Sequence, residues 1–198
     1  MLSLARMGDS LFIGTADGLN LLSLTNDSVF SIYAGTFTNT AVYDLAPLGR
    51  TIWIGSSAGA FRYNLDTRDL QKYQDPELVL FSRVFDIEHA GNDTWLISQS
   101  GLVRLDRTTG ESEGFREAMD GNVYRALAVN EWVAAFTSTY GVTLLFLDRD
   151  KPYTKEFSER DGLASSTVYS LLLDGEWLWI GTDRGLTRFL WDNPRRVD

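Results

Sequence analysis

The chain has 198 residues, of which 44% are apolar, 13% aromatic and 23% charged, with a formal net charge of −9. This is a folding composition, but it lacks the basic stripe that a phosphate backbone or an anionic membrane surface demands, so nucleic acid is excluded as a natural partner. The absence of cysteine removes disulfides, thiolate catalysis and thiolate metal sites, and no apolar run approaches the roughly 18 residues of a membrane span.

From the N-terminus, MLSLARMGDSLFIG lacks the long apolar core of a signal peptide. Leu2 already opens the first of five related units. Each unit carries a glycine-marked segment: LFIGTADGLNLL (Leu11–Leu22), IWIGSSAGAFRY (Ile52–Tyr63), TWLISQSGLVRL (Thr94–Leu105), VAAFTSTYGVTLL (Val133–Leu145) and LWIGTDRGLTRF (Leu178–Phe189). Their second glycines, Gly18, Gly59, Gly101, Gly141 and Gly185, are spaced by 41, 42, 40 and 44 residues. A second marker keeps step. Tyr43, Phe85, Tyr124 and Tyr169 stand ten residues before Trp53, Trp95, Ala134 and Trp179, and Leu2 stands ten before Phe12.

Within a unit the apolar residues alternate with period two and are β-branched or aromatic, which predicts strands. In the last unit these are strand one at 168–173, a turn at Asp174–Gly175, strand two at 177–182 and strand three at 185–190. Earlier units add a fourth strand at 28–33, 70–74, 112–116 and 153–157. Four short antiparallel strands every forty or so residues is the unit of a β-propeller blade. The sequence therefore predicts an all-β, five-bladed β-propeller, one domain over 1–198, with blades near 1–34, 40–75, 82–116, 122–158 and 166–198. The last blade is expected to be three-stranded or closed by 195–198, unless the chain continues into a longer array.

Phe12, Trp53, Trp95 and Trp179 read as blade-to-blade packing, since each aromatic buries about 150–250 Å². Ala134 breaks that row, leaving Trp132 and Phe136 to refill the space or a gap to remain. Gly185 fits a turn position with positive φ, and Gly181 permits close approach of an adjacent blade. A phosphate loop is excluded because a strand, not a helix N-terminus, follows the glycines.

The run DGLASSTVYSLLLDGEWLWIGTDRGLTRF (Asp161–Phe189) resembles the two-component regulator propeller repeat. The resemblance implies the ligand-sensing part of hybrid histidine kinases, generally outside the cytoplasm, with many members sensing glycans or their fragments. It implies a non-enzymatic, cofactor-free recognition module whose ligand is a polar small molecule or glycan.

The residues between the glycines are candidates for that role, because propeller turns share a face with the links between blades. They are Asp17, Ser57, Gln99, Tyr140, Asp183 and Arg184, joined by Asn39, Arg83, Asn122, Ser165 and Ser166 from the links. One residue after each aromatic marker come Ser3, Asp44, Asp86, Arg125 and Ser170, a second candidate set beside the central channel. An Arg facing two Asp would form a charge-compensated plug or a site at the channel mouth.

Other chemistry is thinly represented. His89 is the only histidine and is expected at the surface, no nucleophile-elbow motif occurs, and Asp148 with Asp150 lacks the spacing of a calcium loop. No catalytic residue and no metal site is assigned, and a propeller lyase or hydrolase is the weakest reading. The rival to ligand sensing is a protein-interaction scaffold, a rigid disc docking through its mixed-charge outer strands (Arg62, Arg104, Arg188, Lys155, Glu156).

Overall fold

The computed structural model describes residues 1–32, 34–74, 79–115, 125–147 and 151–191. The chain divides into two compact units, Met1–Arg116 and Glu117–Asp198. The first unit contains three four-stranded antiparallel sheets: β1 (Ser3–Met7), β2 (Ser10–Thr15), β3 (Gly18–Ser23) and β4 (Val29–Ile32); β5 (Val42–Leu48), β6 (Thr51–Ser56), β7 (Gly59–Asn64) and β8 (Leu70–Tyr73); β9 (Val84–Ala90), β10 (Asp93–Ser98), β11 (Gly101–Asp106) and β12 (Ser112–Phe115). The second contains β13 (Leu127–Val129), β14 (Val133–Ser138), β15 (Gly141–Phe146) and β16 (Tyr153–Phe157), then a three-stranded sheet of β17 (Val168–Asp174), β18 (Trp177–Thr182) and β19 (Gly185–Leu190). The expected class is present: all-β, five propeller blades, the last with three strands. A single helical turn, α1 (Ala34–Phe37), joins the first two blades. The residues 195–198 proposed to close the last blade, together with Tyr124, Asn122, Asp148 and Asp150, lie outside the described residues.

Alternation along each strand gives every sheet two apolar faces. The leading face of the second blade carries Ala46, Trp53 and Ala60, and it packs on Val84, Ile87, Leu96 and Val103 of the third. The first blade leads with Ala5, Phe12 and Leu19 onto Leu45, Ile52, Ile54 and Phe61 of the second. Gly55 is needed at this seam, because a Cβ there would stand 2.9 Å from the carbonyl oxygen of Val84. On the leading faces the cross-strand pairs Trp53–Arg62, Trp95–Arg104 and Trp179–Arg188 recur. Their guanidiniums lie 5.3, 5.9 and 5.3 Å from the ring centroids, so cation–π attraction reinforces the strand pairing.

The fourth blade is corrected by its register. Ser138 pairs with Gly141 as Ser56 does with Gly59, which makes Ala135, not Ala134, the counterpart of the tryptophans. Ala135 faces Leu144, so both members of the Trp–Arg pair are replaced there. The space is filled by Val142, Leu144, Phe146 and Phe157 against Val168, Leu178 and Ile180 of the fifth blade. Trp132 takes no part and is exposed, and Phe136 is buried on the opposite face.

The hydroxyl three residues before each second glycine closes the strand-two to strand-three turn. Thr15, Ser56, Ser98 and Thr182 donate to the carbonyls of Gly18, Gly59, Gly101 and Gly185 at 2.8–3.0 Å. Each also accepts the N–H two residues on, at 3.1–3.2 Å. In the fourth blade the equivalent Ser138 hydroxyl is buried without a partner. Replacing Ser56 or Ser98 with Ala therefore leaves a buried carbonyl and N–H unpaired and should cost about 1–2 kcal/mol in urea unfolding. Ser138→Ala should be neutral or slightly stabilising. Equal losses at all three positions would refute the assigned role of the hydroxyl.

Candidate functional site

The strand-two to strand-three turns do lie beside the inter-blade links, as the repeat implied. Backbone bonds join Gly18 to Thr40, Ser57 to Ala41, Gln99 to Arg83 and Asp183 to Thr167. Several candidate side chains serve this junction. Asp17 accepts the N–H of Asn39 at 2.8 Å, which holds Asn39 at a positive φ of 55°. Ser57 accepts the N–H of Ala41 at 3.1 Å, and Ser165 accepts that of Thr167 at 3.1 Å. Asp17 also borders a small hollow of about 110 Å³ with Asn20, Ser31 and Thr38. Gln99 and Asp183 have exposed side chains and sit in turns anchored through their backbone N–H groups.

In the second unit the same face opens into a depression of about 820 Å³, lined by Thr139, Tyr140, Glu156, Glu159, Asp161 and Ser166 among others. Tyr140 is 61% exposed at its rim. In the lining segment, Ser158 caps the short turn Glu159–Asp161 in a reciprocal capping box closed by Gly162. Glu159 accepts the N–H of Ser166 at 3.2 Å and pairs with Arg184 at 3.6 Å. The structure thus gathers Tyr140, Ser166 and Arg184 of the expected set around Glu159. Sequence reading missed Glu159 and Asp161, although the S-E-R-D-G run spelled a capped turn.

The channel-side set is only partly assembled. Asp44, Ser3 and Ser170 occupy one register position opposite Gly55, Gly14 and Gly181, with Asp86 equivalent opposite Ile97. Arg125 does not share it. In the fourth blade Ala126, whose carbonyl receives the Thr137 N–H, takes the position opposite Thr137. Arg125 is exposed, one residue earlier, with its N–H bonded to Thr137 Oγ1 at 2.7 Å. Counting from Tyr124 placed it one step too far along. The aromatic markers themselves are bulged, since the register slips at Tyr43, Phe85 and Tyr169. The rings of Tyr43 and Phe85 meet at 5.2 Å from adjacent blades.

In the first unit, Asp44 and Asp86 both accept the N–H of Ile87, at 3.0 and 2.9 Å. Burial pushes the Asp44 carboxyl up to about 6 from 3.8, opposed by the N–H groups of Leu45 and Ile87 and by Asp86. Glu88 is pushed up to about 7 from 4.5, first by burial and then by the Asp44 charge. His89 is half-buried rather than at the surface. Its Nδ1 lies 3.0 Å from Thr94 Oγ1 and its Nε2 3.4 Å from the Ala46 carbonyl, and burial lowers its pKa. Among the described residues no group of three or more His, Asp or Glu is placed to hold a metal ion.

Because the folded state holds the Asp44 and Glu88 protons more tightly than the unfolded chain does, their contribution is full below the unfolded values near 3.8 and 4.5. It is lost as pH rises through about 6 and 7. Asp44→Asn should remove a stability loss on the order of 2–3 kcal/mol between pH 4 and pH 8, read from urea midpoints. An unchanged wild-type slope in the variant would contradict a buried, proton-retaining Asp44.

No protein-family model matches the chain, and no curated protein matches it. Solved structures do. The extracellular domain of the putative one component system BT4673 from B. thetaiotaomicron aligns with a TM-score of 0.78 and 18% identity, over 94% of this chain and 27% of that one. The extracellular domain of the putative hybrid two component system BT3049 from the same organism gives 0.77 and 21%, over 98% and 28%. The computationally designed Ika4 protein gives 0.58 and 16%, over 76% of this chain and 91% of that one. The chain thus spans about a quarter of the length of the two bacterial domains, and what it shares with them is the fold.

Proposed function

We propose that the chain is a non-enzymatic recognition module of the sensor type, binding a neutral oligosaccharide in the depression beside Tyr140. The observation that carries this reading is the combination at that site. An exposed aromatic ring lines the same hollow of about 820 Å³ as several carboxylates and hydroxyls. Sugars stack an apolar face on an aromatic ring and direct hydroxyls to acceptors such as Glu156, Glu159 and Asp161. The three carboxylates outnumber Arg160 and Arg184, which disfavours uronates. An extracytoplasmic setting and a role in signal reception are supported by the fold shared with extracellular domains of two-component systems. Among the described residues no helix is long and apolar enough to cross a membrane.

Calorimetric titration with a panel of neutral and uronate-bearing oligosaccharides tests the site. A neutral member should bind, Tyr140→Ala should weaken it about tenfold, and Tyr140→Phe should retain most of the affinity. Because Tyr140 is exposed, the thermal midpoint should not move. Absence of binding across the panel, or equal affinity in Tyr140→Ala, would remove this reading.

A further inference from the structure

Between the second and third blades, at the end of the sheets opposite the strand-two to strand-three turns, lies a cleft of about 640 Å³. Trp53, Arg62, Gln71 and Tyr73 of the second blade and Leu105 and Arg107 of the third line it. Both blades belong to the first compact unit. Comparing their registers shows what sets this cleft apart. In the third blade Arg104, across from Trp95, lies 3.7 Å from Asp93 and 3.8 Å from Glu113. Asp106, paired with Asp93, adds a third carboxylate at the same end of the sheet. In the second blade Arg62 stands across from Trp53, but the positions of Asp93, Asp106 and Glu113 hold Thr51, Asn64 and Gln71. Three acidic positions are neutral while the arginine is kept. In the fifth blade the position of Thr51 holds Trp177, whose ring centroid lies 3.6 Å from the Arg188 guanidinium.

Arg62 is half-buried, with its guanidinium 5.3 and 5.6 Å from the Trp53 and Tyr73 ring centroids. Its Nε is buried without a hydrogen-bond partner. Among the described residues no carboxylate lies within ion-pair distance of it. Other charges of the lining are engaged: Arg107 donates to the carbonyls of Gly91 and Asp93, and Asp106 accepts the N–H groups of Thr108 and Thr109. Asp69 is exposed on the strand-three to strand-four turn. A cation partly withdrawn from water and without a counter-charge favours an anion that can enter.

We propose that this cleft is a second binding site, for a small polyhydroxylated carboxylate whose carboxyl group meets the Arg62 guanidinium in place of the acids that serve Arg104. The planar fork of a guanidinium matches a carboxylate through two parallel N–H···O bonds. Thr51, Asn64, Thr67 and Gln71 bring hydroxyl and amide groups to the lining for the ligand's hydroxyls, and the two rings bring apolar surface for its carbon chain. The site lies in a different unit from Tyr140, and it takes an acid where that depression takes a neutral sugar.

Calorimetric titration of the whole chain with gluconate tests this. Glucitol, the same carbon chain with an alcohol in place of the carboxylate, is the neutral control, and sulfate is the control for an unselective anion contact. Gluconate should bind, and each control should bind at least about tenfold more weakly. Arg62→Gln should weaken gluconate about tenfold or more. Gln71→Glu puts back the acid that Glu113 supplies to Arg104, and it should weaken gluconate as much. Gln71 is exposed, so this variant should melt at or above the wild-type temperature, and it decides the matter where Arg62→Gln folds poorly. Absence of gluconate binding, equal affinity for glucitol or sulfate, or full affinity in Gln71→Glu overturns the proposal. Tyr140→Ala should leave gluconate affinity unchanged; a loss there would move the anion to the second unit and overturn the assignment.

Discussion

Everything in this molecule rests on sheets covering one another. A four-stranded antiparallel meander that is apolar on both faces leaves that surface in water until each face finds another sheet about 10 Å away. The leading face does this with one bulky group, Phe12 in the first blade and Trp53 in the second, and the receiving face largely with branched aliphatics. The arginine across from Trp53 and from Trp95 sets its guanidinium over the ring, 5.3 and 5.9 Å from the centroid. Close approach then dictates Gly14 and Gly55 of strand two, where a side chain would meet the carbonyl oxygens of Val42 and Val84 in the next blade; at Gly181, by contrast, the nearest group is Ser170 of its own blade rather than an adjacent one. Most of what repeats in the sequence is this one contact written again.

A second repeated feature is local. In the first, second, third and fifth blades the turn hydroxyl bonds forward to a carbonyl and an N–H, so the turn holds its shape without help from its central residues. Those residues are then free to vary, and in the first two blades they bond to the adjoining link. Asp17 and Ser57 thus turn out to be struts. Electrostatics follows the same division: Asp44 and Asp86 direct their oxygens at a strand-one N–H, and burial raises the Asp44 carboxyl to about 6.

How much was legible in the sequence follows from the kind of signal each feature left. The blades, the turns, the inter-blade packing of Phe12 and Trp53 and the three-stranded final sheet all come from period and spacing, whereas Trp179, expected to pack in the same way, is only half-buried. The errors cluster where a single residue shifts the count. Tyr43, Phe85 and Tyr169 are bulged, so the distance from aromatic to tryptophan includes an extra residue. The fourth unit is spaced differently, and counting forward from Tyr124 assigned Ala134 and Arg125 where Ala135 and Ala126 stand. Counting back from Gly141 would have been correct, because the pairing of Ser138 with Gly141 keeps the register of Ser56 with Gly59. The burial of His89 and Glu88 was not legible, since it depends on the neighbouring sheet and on Arg107 and Ala46 rather than on strand position.

The fourth blade departs from the others in three linked ways. It exchanges the Trp–Arg pair for Ala135 and Leu144, and it fills the space with Phe146 and Phe157 from strands three and four. It leaves the clamp hydroxyl of Ser138 unbonded, and it carries Tyr140 at the turn tip. With the apolar mass moved from strand two to the outer strands, the seam remains closed without the tryptophan. The turn is therefore released from the geometry that the other blades enforce. A loop freed from one constraint is where a side chain unsuited to a strut can be placed at no cost to the core. The capped segment Ser158–Gly162 then supplies the fixed wall that the turn itself no longer provides.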